Sequence, residues 1–150
     1  WKDRPQYSEG NIYVQKVDSN GQAAWQSEGI LLSSLHSPAY VRGPLDSWIV
    51  SDGEGGAIAV WIHLAAGVKS DGLNLYAQRI SAGGEFLWEE GGVPVGDKSS
   101  QQRSQSEPRV ISDSSKGAII FGEHGVRTIW AQRLDSQVFL FKQKEDDLQY

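Results

Sequence analysis

Residues 11–18 read Asn-Ile-Tyr-Val-Gln-Lys-Val-Asp, and the same pattern returns twice further along the chain. Residues 74–81 read Asn-Leu-Tyr-Ala-Gln-Arg-Ile-Ser, and residues 128–135 read Thr-Ile-Trp-Ala-Gln-Arg-Leu-Asp. Side chains alternate between the two faces of a strand, so each copy places apolar residues on both faces. A sheet with one solvated face alternates apolar and polar residues more cleanly. The repeat therefore predicts similar sheets that are stacked face to face and cover one another.

Three further segments recur around this one and complete a repeating unit of four strands. We label the strands a to d in chain order, so that the segment above is strand c. Strand a corresponds to residues 47–50 and 108–111, strand b to 56–61 and 117–122, and strand d, which carries a tryptophan, to 23–30 and 86–93. Asp52 and Asp113 begin turns between strands a and b, and Asn20-Gly21 lies between strands c and d. These are hairpin sequences, so each unit is predicted to be an antiparallel meander.

The combined pattern resembles a repeat of large secreted bacterial proteins. It consists of Gly-Gly-Ala-Ile-x-x-Trp on strand b (residues 55–61), Tyr-x-Gln-Lys/Arg on strand c (75–81), and Trp followed by Gly on strand d (84–93). Those proteins are β-propellers, most of them without an assigned activity, and the resemblance extends over about residues 12–135. It implies a propeller of an extracellular or cell-envelope protein and carries no catalytic signature. Gly122 departs from the pattern, because a tryptophan is expected at the end of strand b.

The strand count predicts an all-β, propeller-like segment over residues 1–141, with two and a half to three four-stranded antiparallel blades. A partial blade covers residues 1–32, a full blade 47–95 and a third blade 108–141, and residues 142–150 form a polar tail. Closed propellers have four to eight blades. We therefore expect further blades from the same polypeptide, from other copies in an oligomer, or from a partner.

Composition excludes several classes of partner. The 150 residues include 14 Lys and Arg against 19 Asp and Glu, which gives a net charge of −5. This balance argues against a nucleic-acid surface, which needs concentrated positive charge. No apolar run approaches the length needed to span a bilayer. The chain has no cysteine, so disulfides and thiolate metal sites are excluded.

Two polar positions on strand c recur with the repeat and are interpreted as structural. A buried amide needs hydrogen-bond partners, so the glutamines are expected to hold nearby backbone in place. The basic residues that follow them are expected to pair with acidic neighbours or to cover aromatic rings. The positions are Gln15, Gln78 and Gln132, followed by Lys16, Arg79 and Arg133. The recurring tryptophans and tyrosines are assigned to the core.

The segment between strands d and a is the best candidate for specific recognition. It contains His36, Tyr40 and Arg42 and is followed by Trp48, whereas the matching segment 96–107 has no aromatic residue or histidine. Loops with such side chains frequently bind ligands, so these four residues are the candidate ligand-binding residues, with a glycan as a possible partner. The simpler interpretation is that Tyr40 covers the edge of a blade.

Metal binding is the weaker interpretation of two other groups. His63, His124 and Asp3 occupy equivalent repeat positions and would bind a divalent metal only if the blades brought them together. Asp52 and Glu54 offer oxygen ligands for calcium, but an aspartate that begins a hairpin needs no metal. No metal site and no cofactor are predicted.

Catalysis is not predicted either. No serine lies in a nucleophile elbow, and Glu89, Glu90 and Glu123 are the only acidic residues that suggest a glycosidase. Nothing in the sequence places two of these carboxylates in one cavity. The sequence therefore favours a non-enzymatic structural or protein-interaction module, with a carbohydrate- or small-ligand-binding propeller as the alternative.

Overall fold

The computed structural model describes residues 2–3, 11–34, 47–64, 73–96, 105–124 and 128–137. Within these ranges the chain forms ten β-strands and no helix, so the described part contains no helix that could cross a membrane. The strands are β1 (Lys2–Asp3), β2 (Asn11–Val14), β3 (Ile30–Ser34), β4 (Ser47–Ser51), β5 (Ala57–Leu64), β6 (Leu73–Ile80), β7 (Val93–Val95), β8 (Gln105–Ser112), β9 (Ala118–His124) and β10 (Thr128–Leu134).

The strands form three antiparallel sheets, each made of strands that are consecutive in the chain. Sheet 1 has the order β1-β2-β3, sheet 2 the order β4-β5-β6-β7, and sheet 3 the order β8-β9-β10. The all-β class and the antiparallel meander are confirmed. The predicted c strands are β2, β6 and β10, and equivalent pairs recur, since Trp61 lies opposite Tyr76 in sheet 2 and Gly122 opposite Trp130 in sheet 3.

The predicted placement of strand d is wrong. Strand d of sheet 2 is β7, which follows Trp88, and in sheet 1 β3 likewise follows Trp25. A tight turn separates the tryptophan from the strand, because the Gly92 backbone N–H donates to the Glu89 carbonyl at 2.9 Å and Gly92 has a φ of 86°. The tryptophans therefore lie in the connection between strands c and d. The end of the predicted third blade, residues 138–141, and the polar tail 142–150 lie outside the described residues.

Sheet 2 lies between the other two sheets and is apolar on both faces. We call the face of a sheet that is directed to the next sheet in the chain its leading face, and the opposite face its trailing face. In sheet 3 the leading face is the one directed away from sheet 2, and in sheet 1 the trailing face is the one directed away from sheet 2. The trailing face of sheet 2 packs on sheet 1 in a cluster that contains Ala59, Trp61 and Ile80 with Ile12, Val14, Ile30 and Leu32. The leading face packs on sheet 3 in a cluster that contains Ile58, Val60, Leu75 and Ala77 with Ala118, Ile120 and Leu134.

The conformation of the turn between strands a and b in sheet 2 favours glycine, as two of its positions show. Gly53 has a φ of 80°, and a Cβ at Gly56 would collide with the carbonyl oxygen of Ile80. In sheet 3 the counterpart of Gly53 is Ser114, which adopts a φ of 61°. Residues other than glycine are strained in this left-handed region because of their Cβ atom. The third repeat therefore keeps the turn at a cost in stability.

Replacing Ser114 with glycine is expected to stabilise the chain. Glycine removes the strain of the left-handed conformation, which stabilises the folded chain, but it also increases the entropy of the unfolded chain, which offsets part of the gain. The net effect should be a free energy of unfolding that is higher by about 0.5–1 kcal/mol in urea denaturation. Gly53→Ser is the matched control, since a Cβ there meets no atom within 4 Å, and it should lower the free energy of unfolding by a similar amount. A destabilising Ser114→Gly substitution would contradict this explanation.

Candidate functional site

Asp52 ties the turn between strands a and b to strand c of the same sheet. Its Oδ1 accepts hydrogen bonds from the backbone N–H groups of Glu54 and Gly56, at 2.8 and 2.9 Å. Its Oδ2 accepts two more from Arg79, from Nε at 3.1 Å and from Nη2 at 2.9 Å. This carboxylate is therefore held by nitrogen donors as the start of a hairpin, and its oxygens would have to give up these bonds to hold calcium.

Asp113 and Arg133 repeat this arrangement in sheet 3. The backbone N–H groups of Ser115 and Gly117 donate to Asp113 Oδ1 at 2.7 and 2.8 Å, and Arg133 Nη2 lies 2.7 Å from Asp113 Oδ2. The two ion pairs differ in burial, because the Arg79 side chain is 9% exposed and the Arg133 side chain 58% exposed. The prediction that the basic residues of strand c pair with acidic neighbours is confirmed for Arg79 and Arg133.

Both aspartates have lowered pKa values. Burial raises the pKa of Asp52, but the Glu54 backbone N–H, the Arg79 guanidinium and the Gly56 backbone N–H lower it further than burial raises it. The pKa of Asp113 is lowered in the same way, since burial is again outweighed by backbone N–H donors and by Arg133. Both groups therefore stay ionised in the folded chain at acidities that protonate an ordinary aspartate.

Lys16, the counterpart of these arginines in sheet 1, makes a contact between sheets. Its Nζ donates to the backbone carbonyl of Gly55, in the turn between strands a and b of sheet 2, at 2.8 Å. The basic position of strand c thus bonds within its own sheet in two repeats and reaches the next sheet in the first.

Gln78 holds the connection between strands c and d. Its Oε1 accepts from the backbone N–H groups of Arg79 and Trp88, at 3.0 and 3.1 Å, and its Nε2 donates to the Glu89 carbonyl at 2.8 Å. Gln15 makes the same three bonds in sheet 1, with Lys16, Trp25 and Gln26. The structural role predicted for the glutamines is confirmed for both.

Gln132 links two sheets. Its Oε1 accepts from the backbone N–H of Gly96, at the end of strand d in sheet 2, at 2.7 Å. The structural role predicted for the strand c glutamines is therefore confirmed for Gln132 as well, and its bond joins two sheets.

The two tryptophans of the c–d connections also link each sheet to the next one. Trp25 Nε1 of sheet 1 donates to the Ala82 carbonyl at 3.0 Å, and Trp88 Nε1 of sheet 2 donates to the Ser136 carbonyl at 3.4 Å. Ala82 and Ser136 occupy the same position in the repeat, two residues after strand c. Sequence analysis assigned these tryptophans to the core and missed the hydrogen bonds, although the constant spacing between the turn and the tryptophan in the first two repeats was a usable signal.

The outer faces of sheets 1 and 3 expose residues whose counterparts are buried in sheet 2. Ile129, on the leading face of sheet 3, is 78% exposed, whereas its counterpart Leu75 is 0% exposed. Val17, on the trailing face of sheet 1, is 59% exposed, whereas its counterpart Ile80 is 0% exposed. We treat these two faces as the candidate interaction surfaces.

The structure places one of the four candidate ligand-binding residues. Trp48 lies on β4 and is half-buried, and the guanidinium carbon of Arg109 lies 5.7 Å from the centroid of its ring. This is cation–π geometry, so Arg109 of sheet 3 packs on Trp48 of sheet 2. His36, Tyr40 and Arg42 lie outside the described residues, and the ligand-binding prediction stays a prediction.

The metal and glycosidase candidates gain no support from geometry. Within the described residues, no three His, Asp or Glu side chains are grouped as a metal site. Asp3, His63 and His124 lie in three different sheets, and nothing is described of their side chains. Glu89 and Glu90 are exposed on the connection between strands c and d of sheet 2.

Comparison with known proteins adds no family: no family model matches the chain, and neither a curated protein nor a solved structure matches it.

Substitution of the two aspartates by asparagine is expected to show how much burial matters to the ion pairs. Asparagine keeps the oxygen that closes the turn and removes the charge. Asp52→Asn should lower the free energy of unfolding by about 3 kcal/mol, because it leaves the buried Arg79 charge without its partner. Asp113→Asn, the matched control, should cost about 1 kcal/mol or less, because Arg133 remains hydrated. Equal costs in urea denaturation would show that burial of the arginine does not decide the effect.

The lowered pKa values predict a loss of stability in acid. A carboxyl group whose pKa is lower in the folded chain contributes stability above its unfolded pKa and loses it as the pH falls through the folded value. The free energy of unfolding should therefore fall as the pH drops below the ordinary aspartate value of 3.8. A chain with both Asp52→Asn and Asp113→Asn should show a shallower decline in urea denaturation at a series of pH values. Identical slopes would assign acid sensitivity to other carboxylates.

Proposed function

We propose that the chain is a non-enzymatic β-propeller segment that serves as a structural or protein-interaction module. Its outer sheet faces bind further sheets of the same kind. The observation that carries this proposal is the contrast between sheet 2, which is covered on both faces, and the same repeat positions on the outer faces of sheets 1 and 3, which are exposed.

Exposed apolar side chains whose repeat counterparts are buried favour this association. Full burial of a Val or Ile side chain stabilises by about 1.5–3 kcal/mol. Ile129 and Ile111 lie on the leading face of sheet 3 at 78% and 50% exposure, and Val17 lies on the trailing face of sheet 1. Exposed apolar residues grouped on one face of a sheet mark an interaction surface. A covering sheet would recover the stabilisation that sheet 2 already has.

The propeller interpretation is supported by how neighbouring sheets meet. Sheets 2 and 3 approach each other most closely through their a strands, β4 and β8, and the cation–π contact between Arg109 and Trp48 lies there. Sheets that radiate from an axis converge at their inner strands. Strand a therefore takes the inner position, and each sheet corresponds to one blade. The extracellular or cell-envelope location rests on the resemblance of the repeat alone.

Extension of the chain by one repeat tests whether the leading face of sheet 3 is a contact between repeats. The chain has no cysteine, so a single cysteine at Ile129→Cys reports the exposure of that face by its rate of reaction with a thiol reagent. When a further copy of residues 47–96 is appended after Tyr150, the rate should fall by about tenfold or more, because the new sheet covers the face.

A cysteine at Ile49→Cys is the control for this experiment. Ile49 is 54% exposed and lies on the trailing face of sheet 2, so the appended repeat should leave its reactivity unchanged. Equal reactivity at position 129 with and without the added repeat would contradict the proposed function.

A further inference from the structure

We propose that a second copy of this chain is the partner, bound head to tail, with the leading face of sheet 3 in one copy covered by the trailing face of sheet 1 in the next. This inference rests on the proposed function and names the occupant of its interaction surface. The chain carries both halves of a contact that it already makes twice within itself, between sheets 1 and 2 and between sheets 2 and 3.

The internal contacts provide the geometric template. In the contact between sheets 2 and 3, Leu75 and Ala77 of strand c in sheet 2 are buried in one cluster with Leu134 of strand c in sheet 3. Their counterparts on the free leading face are Ile129 and Ala131, and the counterpart of Leu134 on the free trailing face is Val17. The two free faces are therefore apolar at the positions that the template buries.

The small size of sheet 1 does not prevent it from covering a neighbour. Sheet 1 has only three short strands, yet within the chain it covers sheet 2 so well that Ala59, Trp61 and Ile80 are 4%, 1% and 0% exposed. Ile49, on strand a of the same face, stays exposed at 54%. In the contact between copies, sheet 1 should likewise cover strand c of sheet 3 and leave Ile111 on strand a in water.

The charged residues at the free leading face are compatible with burial. Arg133 is its prominent cation, and its guanidinium is already bonded to Asp113 at 2.7 Å. Covering this face therefore buries a paired charge, and the Arg79–Asp52 pair of sheet 2 is a buried ion pair of the same kind. An unpaired charge would oppose the contact, and the ion pair removes that obstacle before the copies meet.

A head-to-tail contact has a consequence for assembly. Because the two surfaces differ, each bound copy leaves one face of each kind free, and association continues until a ring closes or a filament grows. A contact between two identical faces would stop at a dimer.

Complementation between two variants tests this contact by sedimentation velocity. The wild-type chain should form larger species as its concentration rises. Ile129→Asp spoils only the leading face and Val17→Asp only the trailing face, so each variant alone should associate at least about tenfold more weakly and sediment as a monomer. An equimolar mixture should form a one-to-one dimer, because each variant supplies the intact face that the other lacks.

The controls distinguish loss of a specific contact from unfolding and from a change in nonspecific association. Ile49→Asp alters a side chain of similar exposure outside both contact faces and should leave association unchanged. The urea unfolding transition of each variant is compared with that of the wild type, and Ile129→Ser with Val17→Ser repeats the test if aspartate lowers stability.

Three results would overturn the second-copy proposal: a wild-type chain that stays monomeric at all concentrations, a mixture of variants that stays monomeric, or a Val17→Asp variant that still associates alone through paired leading faces. If the wild-type chain stays monomeric but the appended repeat protects Cys at position 129, the face is a contact between repeats of one polypeptide and only the second-copy proposal fails. If the appended repeat gives no protection either, the proposed function fails with it.

Discussion

The whole structure depends on one constraint, which is that strand c carries apolar side chains on both of its faces. A sheet built around such a strand cannot leave either face in water without losing the stabilisation from burial. Sheet 2 meets the constraint, since Leu75 and Ile80 of β6 are directed to opposite faces and are both 0% exposed. Sheets 1 and 3 each meet it on one side only. The interaction surfaces of the chain follow from this incomplete coverage.

Burial alone does not set the order and spacing of the sheets, and the polar contacts provide that specificity. Asp52 and Asp113 each join a hairpin turn to strand c within one sheet, which keeps the first three strands of the meander in register. The tryptophan indoles and Gln132 join one sheet to the next through backbone groups. Because a hydrogen bond needs its donor and acceptor within a narrow range of distance and angle, these bonds favour one alignment of the stacked sheets over others that would bury similar area.

The sequence predicted the parts of the structure that local patterns determine. Strand c and the Asp52 turn were found because their residue types recur at fixed spacing and their chemistry is local. Strand d was misplaced because Trp88 looks like a core residue of a strand, whereas the following turn at Gly92 ends the extended backbone before β7 begins. The backbone-holding role of Gln132 was predicted, but its partner Gly96 was not, because Gln15 and Gln78 at the same repeat position bond to the connection of their own sheet. The exposed apolar faces of sheets 1 and 3 are recognised when each of their residues is compared with the buried residue at the same repeat position in sheet 2. His36, Tyr40 and Arg42 lie in a connection whose matching segment, 96–107, has no aromatic residue or histidine, so the repeat provides no template for their side chains.

Native-state amide hydrogen exchange in dilute solution tests the central claim most directly, since it measures the free energy of opening for each strand. If coverage on both faces stabilises a sheet, the amides of β5 and β6 in sheet 2 should exchange most slowly, at the free energy of global unfolding. The amides of β2 and β10, whose sheets are covered on one face, should exchange through openings of lower free energy. Protection of β2 or β10 equal to that of β6 would contradict the account.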